Sequence, residues 1–488
     1  MMERWRSGFS LILLALFVPS LVSAGHSFEN TAIVRTVELG GALVHVTTTY
    51  AVKALEHSSK YTIALGGLEH EKTSWLEAKI KGRAGVLPLE LVGTDPTSGV
   101  ALYDVDLPET LKVGETAHVV VETTQTHATH PWPEVASQKD GQALKYLTDL
   151  LVISPYQTLV QRTKVKSPSP NIFSYTTPEE MSDFTLEDPV TKSGATLTYG
   201  PYKNIPPSST EDFLNEKQKR ITIHYAYDWP VLEVTKLKRS AEISHWGANL
   251  NIEDNIDLHN AGPALKGHFS RLEHQSQKFF GKPAPHMLPS ISLHLPAGIH
   301  SVYYYDMIGN VSTSNLRTSP SVPKGSQSNQ YSVLELRPRY PIFGGWNYSF
   351  TLGWDSPLKD SAGWDKKTGK WIVGVQVMTH VPGAVVNDAE VKIILPEGAT
   401  DVDFYPPFPA IMNEFSTHIT YLDTTGRPAI TFHYKDLTHK HVGTIYVSYK
   451  VPFSAHLKKP MAVATALMSV FMLAFVWKRV DIRIQKHK

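Results

Sequence analysis

The sequence predicts a mainly β protein: two related sandwich-like domains followed by one C-terminal membrane-spanning helix. Three observations lead there. Short runs alternate apolar and polar side chains, as half-buried strands require because successive residues point to opposite faces. Thirty-three prolines and 31 glycines punctuate those runs, the pattern of sandwiches built from short strands. Near the end, Met461 to Trp477 runs without a charge, a Gly or a Pro.

Taken in order, Met1 to Arg6 is basic, Phe9 to Val18 apolar, and Val22-Ser23-Ala24 small, so residues 1–24 read as a cleaved secretory signal. Val44, Val46, Thr48, Tyr50 and Val52 then alternate with His45, Thr47, Thr49 and Ala51, predicting a strand. Ala117 to Glu122, Ile221 to Tyr227, Val391 to Leu395 and Thr444 to Val451 predict others. Gln142 to Leu151 and Glu211 to Lys219 are the best helix candidates. Lys166 to Asn171, Pro206 to Thr210, Ser319 to Asn329 and Asp355 to Lys370 are polar and rich in breakers, which predicts surface loops; the last is expected to hang clear of its domain.

The apolar run is bracketed by Lys458-Lys459-Pro460 and Lys478-Arg479. At ~1.5 Å per residue it spans about 26 Å, enough for a thin bilayer. A signal in front and one span behind predict a type I topology: residues 25–457 lumenal, the basic tail 478–488 cytosolic. About 430 lumenal residues exceed what one core supports, so two domains are expected, 25–235 and 236–457, ahead of the span and its flank at 458–477. The chain also repeats itself. Arg35-Thr36-Val37-Glu38-Leu39 resembles Arg239-Ser240-Ala241-Glu242-Ile243, and Ile221, Ile223 and Tyr225 alternate as Ile445, Val447 and Tyr449 do. Offsets of 204 and 224 residues suit a duplicated domain rather than a solenoid.

Net charge of +1 argues against a nucleic-acid partner. With no cysteine, disulfides, thiol chemistry and thiolate metal sites are excluded. His70-Glu71 opens like a zincin helix, but Ser74 stands where the second histidine must face the metal. No G-x-S-x-G, P-loop or G-x-G-x-x-G occurs, so no catalytic, cofactor or metal residue is assigned. His127 with His130, and His439 with His441 if they lie on a strand, have spacings that a metal could use; exposed loop histidines are the commoner explanation. Asn310-Val311-Ser312 and Asn347-Tyr348-Ser349 are N-glycosylation acceptors in a lumenal chain. In the span, Ala462 and Ala466, like Thr465 and Ser469, are small residues four apart, which lets a partner helix approach.

From Ile243 the residues become idiosyncratic. ISHWGANLNIEDNIDL, NAGPALKGHFSR, VYYYDMIGNVSTS, LRPRYPIFGGWN, KIILPEGA and YLDTTGRPAI, with SPYQTLVQRTKV and YGPYKNIPP upstream, resemble the ribophorin I family in order and spacing. The resemblance implies a non-catalytic scaffold and substrate-presenting subunit of oligosaccharyltransferase. That complex transfers a preassembled oligosaccharide from dolichyl diphosphate to Asn in N-x-Ser/Thr in the endoplasmic reticulum. It implies, as partners, the catalytic and other subunits, nascent polypeptides, the translocon and the lipid bilayer, with two related β-rich lumenal domains ahead of one span. Asn310 falls where family members carry a glycan. The eleven residues after the span are similar to the short tails of fungal-type members. The other readings of the residues are a stand-alone lumenal chaperone or glycan-binding receptor, and a lumenal hydrolase.

Overall fold

The computed structural model describes residues 27–479 apart from 180, 186–188, 282–283, 323–329 and 421–422. The signal segment 1–24 and the tail beyond 479 lie outside the described residues. Alternation becomes geometry at Leu43–Ala54 (β2), where every second residue is buried. This strand pairs antiparallel with Phe28–Glu38 (β1) on one side and Thr116–Thr126 (β3) on the other. β1 in turn pairs parallel with Thr158–Lys166 (β5), and β5 antiparallel with Thr196–Ile205 (β7). A second sheet is built from Ala143–Asp149 (β4), Ile172–Tyr175 (β6) and Arg220–Ala226 (β8), in the order β6-β8-β4. Side chains of both sheets meet in one core that includes Val37, Val44, Tyr146, Val165, Tyr199 and Ile223.

The same arrangement then recurs strand for strand. Leu232–Ser244 (β9), Asn249–Asn260 (β10), Asn347–Pro357 (β11), Lys370–Gln376 (β12), Val385–Ile394 (β13), Thr400–Tyr405 (β14), Arg427–Leu437 (β15) and Thr444–Lys450 (β16) follow. They pair as β15-β13-β9-β10-β11 in one sheet and β14-β16-β12 in the other. Adding eight to each label of the first half reproduces the second, including the one parallel contact, β9 with β13. Both repeated motifs seen in the sequence fall on equivalent strands: Arg35 on β1 and Arg239 on β9, Ile221 on β8 and Ile445 on β16. Each half also inserts a separate three-stranded sheet between its second and third strands, within residues 58–111 and 291–336.

The two arginines do the same job in both halves. Buried between the sheets, Arg35 Nη2 donates to the carbonyl of Leu150 at 3.1 Å and to that of Asp149, the last residue of β4. Arg239 Nη1 donates at 2.8 Å to the carbonyl of Gln376, the last residue of the equivalent strand β12. A buried cation needs a counter-charge, and the halves supply it differently. Arg35 uses Glu69, 2.6 Å away on the short helix Gly67–Lys72. Arg239 makes a two-pronged contact with Asp254 of β10 at 2.7 and 2.6 Å, both side chains fully buried.

Two sequence expectations are corrected here. Gln142 to Leu151 is strand β4, because Leu144, Tyr146 and Thr148 alternate into the core while the backbone pairs with β8. Residues 355–370 do not hang clear: they finish β11, form a helical turn at Leu358–Ser361 and pair as strand Ala362–Asp365 with β12. Glu211–Glu216 is helical.

The halves pack directly on each other. Gln138 and Ser270 exchange two hydrogen bonds of 3.0 Å, Val135–Ala136 pairs with Ala264–Leu265, and Val385 joins the first half's core. His127, at the end of the first half's β3, lies 3.3 Å from Glu233 and 3.5 Å from Asp436 of the second. Lys440 reaches Glu77 at 3.2 Å and Glu122 at 3.4 Å.

Candidate functional site

Three of the idiosyncratic sequence strings converge where the second half meets the helix Phe453–Arg479. The turn after Ile394 carries Pro396-Glu397-Gly398, and the turn before β15 carries Thr424-Thr425-Gly426. Glu397, nearly buried, accepts four hydrogen bonds through Oε1: from the backbone N–H of Thr424 (3.0 Å) and Thr425 (2.9 Å) and from their hydroxyls (2.6 and 2.9 Å). Burial opposes its ionisation, but these bonds to the charged form outweigh it and hold its pKa down at about 2. Beside it Arg427 donates to the carbonyls of Leu395 (2.9 Å) and Ile243 (2.8 Å) and pairs with Glu242.

The helix is seated on this base. Ala455 is buried against Gly398, where an added Cβ would come within 2.8 Å of it. Lys459 pairs with Asp423 at 2.8 Å, and Lys458 lies 4.0 Å from Glu397. Asp423 is kept ionised: burial works against it, and Lys459 with Thr420 works more strongly for it. His245, on the β9–β10 turn, bonds Tyr449 through Nε2 at 2.8 Å and sits 5.8 Å from the His456 ring. Burial, then the neighbouring His456, lowers its pKa to about 4, so it is neutral here. Pro460, inside the helix, removes one backbone hydrogen bond at the point where the seated turns end and the apolar run begins.

Beyond that point the helix is exposed on all sides in the isolated chain, and it is long and apolar enough to cross a membrane. Thr465 and Ser469 bond back to the carbonyls of Met461 (2.7 Å) and Thr465 (2.8 Å), so neither hydroxyl is left unpaired in lipid. Ala462 and Ala466 lie one turn apart, Ala466 exposed and Ala462 half-buried. Asn310 ends the two-residue strand Gly309–Asn310 and is exposed. Asn347 opens β11, also exposed, with Oδ1 2.6 Å from His259 Nδ1.

The histidine pairs do not converge. His127 is held by Glu233 and Asp436, whose hydrogen bonds raise its pKa to about 10, whereas His130 lies on the strand Thr129–Pro131. His439–His441 is a 3₁₀ turn rather than a strand. His441 is buried and bonded to Thr438; His439 faces His45 at 5.0 Å. Among the described residues no group of three or more His, Asp or Glu is arranged to hold a metal ion.

What the residue patterns missed is the seat itself. Glu397 and Asp423 lie in two of the unusual strings, KIILPEGA and YLDTTGRPAI, while Lys458 and Lys459 read only as the basic flank of the span.

The family model described as Ribophorin I matches residues 28–478. The chain is 31% identical over 419 residues to dolichyl-diphosphooligosaccharide–protein glycosyltransferase subunit 1B of Oryza sativa subsp. japonica, covering 85% of this chain and 82% of that one. It is 28% identical over 477 residues to subunit 1 of Caenorhabditis elegans, covering 97% and 76%. Over 488 residues it is 28% identical to subunit 1B of Arabidopsis thaliana, covering 98% of each. Native yeast LTA4 hydrolase overlays with a TM-score of 0.25 at 13% identity over 44% of this chain and 31% of that chain, too low a likeness for any inference.

Proposed function

The chain belongs to the ribophorin I family, and from that premise we propose that it is a single-span, non-catalytic subunit of oligosaccharyltransferase in the endoplasmic reticulum membrane. The observation that carries the reading is that the likeness runs through both sandwiches, the seat and the span, residues 28–478. In this reading residues 1–24 are a cleaved signal, 25–235 and 236–457 are lumenal domains, 458–477 is the span with its flank, and 478–488 is cytosolic. The contacts between the halves, and those between the second half and the helix, support a rigid body standing on one anchor. Such a body serves as a scaffold beside a catalytic subunit and as a surface along which nascent polypeptides emerging from the translocon are presented. It takes no cofactor. Ala462 and Ala466 form the face on which a partner helix packs, and Asn310 and Asn347 carry glycans.

The test is purification of the tagged full-length chain in mild detergent, with identification of co-purifying proteins and an assay of glycan transfer to an N-x-Thr peptide. The expected result is a multi-spanning transferase in the eluate, with transfer by the assembly and none by this chain alone. Elution as a free species would overturn the scaffold reading, and transfer by the isolated chain would overturn its non-catalytic part. Ala462→Leu with Ala466→Leu should reduce co-purification; an unchanged yield of partners would remove that face from the proposal.

A further inference from the structure

The β9–β10 turn presents Trp246 with 75% of its surface exposed, although the strand ends on either side of it, Ser244 and Asn249, are half-buried. Trp246 lines the same cleft as His456 and Lys459 of the helix. Those two residues precede the first residue of the apolar run, Met461, by five and two positions, hence by about 8 and 3 Å along the helix axis. The headgroup layer on one side of a bilayer is roughly 5–8 Å deep, so a side chain level with them stands within it. On the opposite face of the helix from Ala455, Phe453 and Leu457 are exposed at 77% and 45% and lie one turn apart. They extend the apolar surface of the span past its basic pair. A third feature reaches the same level. The hairpin joining Ala362–Asp365 to β12 runs beside β16, whose chain continues directly into the helix. Its Trp364 is half exposed, and its turn holds Lys366 and Lys367.

We propose that this end of the second sandwich is a lipid-binding surface: Trp246, Trp364, Phe453 and Leu457 insert among the headgroups around the span, with Lys366 and Lys367 against lipid phosphates. Indole rings favour this layer because their apolar body and N–H donor match its two sides, and a lysine ammonium binds phosphate as a point charge. Lipid is the occupant that fits, because the patch is continuous with the span and placed at its mouth by Gly398, Asp423 and His245. The proposal rests on the reading that the helix crosses a bilayer.

The absence of cysteine makes the experiment direct. Trp246→Cys, Trp364→Cys, Trp229→Cys and Leu467→Cys in the full-length chain are each labelled with an environment-sensitive fluorophore. The labelled chains are placed in nanodiscs of phosphatidylcholine and phosphatidylserine, with a nitroxide near the headgroup or mid-chain. Trp229 is the control: it is 69% exposed, three residues ahead of β9, and so about 40 Å along that strand from the membrane end. Probes at 246 and 364 should be quenched several-fold more by the headgroup nitroxide than by iodide, and the probe at 229 the reverse. Probes at 246 and 364 open to iodide, with 467 quenched by lipid, would overturn the proposal alone. If they became shielded only in the assembled complex, a protein partner rather than lipid would be the occupant, which also overturns it. A 467 probe untouched by lipid nitroxide would overturn the span, and the lipid surface with it.

Discussion

Replacing Arg239 with methionine tests how each sandwich is held shut. The side chain is fully buried with Asp254, and with it go both bonds to that carboxylate and the bond to the Gln376 carbonyl. Asp254 would keep only the Thr379 hydroxyl at 2.8 Å, a poor substitute for a cation at a fully buried carboxylate. Breaking a buried pair on one side costs ~3–5 kcal/mol. For a domain of 150–250 residues each kcal/mol moves the melting temperature by roughly 2–4 °C, so the second half should melt about 6–20 °C lower. The assay is differential scanning fluorimetry of the full-length chain in detergent, with pulse proteolysis reporting the half that opens. Arg239→Met with Asp254→Leu is the decisive comparison, because removing both charges should recover most of the loss. A single variant within about 1 kcal/mol of wild type, or a double variant no better than the single, would refute the claim that a desolvated charge dominates here. The equivalent change at Arg35 should cost less, ~1–3 kcal/mol, since Glu69 keeps 16% of its side chain in water and can be solvated when left alone.

Other outcomes follow from the contacts between the halves and from the seat. His127→Gln should weaken the junction by less than about 1 kcal/mol, because the pair is half exposed. Its folded pKa is raised, so the contribution is complete below about 6.5 and fades as pH climbs towards about 10; urea midpoints of wild type and variant should converge over that window. A gap that widened with pH would contradict the assignment. Glu397→Gln should loosen the helix from its base and speed tryptic cleavage at Lys458 several-fold. Since the Glu397 pKa is depressed, the wild-type protection should hold above about 4.5 and fail as pH falls towards 2; equal cleavage of both proteins at pH 7 would count against the seat. Asn310→Gln and Asn347→Gln should each remove one glycan step on a gel, and the pair two, as both acceptors are exposed; an unshifted single variant would exclude that site.

Much of this was legible in the residues, for physical reasons. Half-buried strands carry a period of two, so β2, β8 and β16 could be read directly, and the repeated RTVEL/RSAEI and ITIHY/IYVSY motifs lie on equivalent strands because the same inward positions recur. β4 was misread because Gln, Ala, Leu and Lys favour helix, and only the pairing partner β8 overrides that preference. The parallel register of β1 on β5 and the counter-charges of Arg35 and Arg239 are long-range, and no local pattern carries them. The seat shows the same limit: its strings were conspicuous, yet nothing in any one of them says that Glu397 meets Thr424.

The parallel strand in the middle of each main sheet also sets a timetable. Ile33 must wait for Gln161, and Glu233 for Val385, separations of 128 and 152 residues. At ~5–20 residues per second, a ribosome takes roughly 6–30 s to deliver the partner. For that interval the β1–β2 hairpin, and later the β9–β10 hairpin, has an unpaired edge. Each half therefore spends its most vulnerable seconds still tethered to the machinery making it. The second half cannot complete its core until β16 has emerged, only a few residues ahead of the membrane helix, so sandwich closure and anchoring fall at nearly the same moment of synthesis.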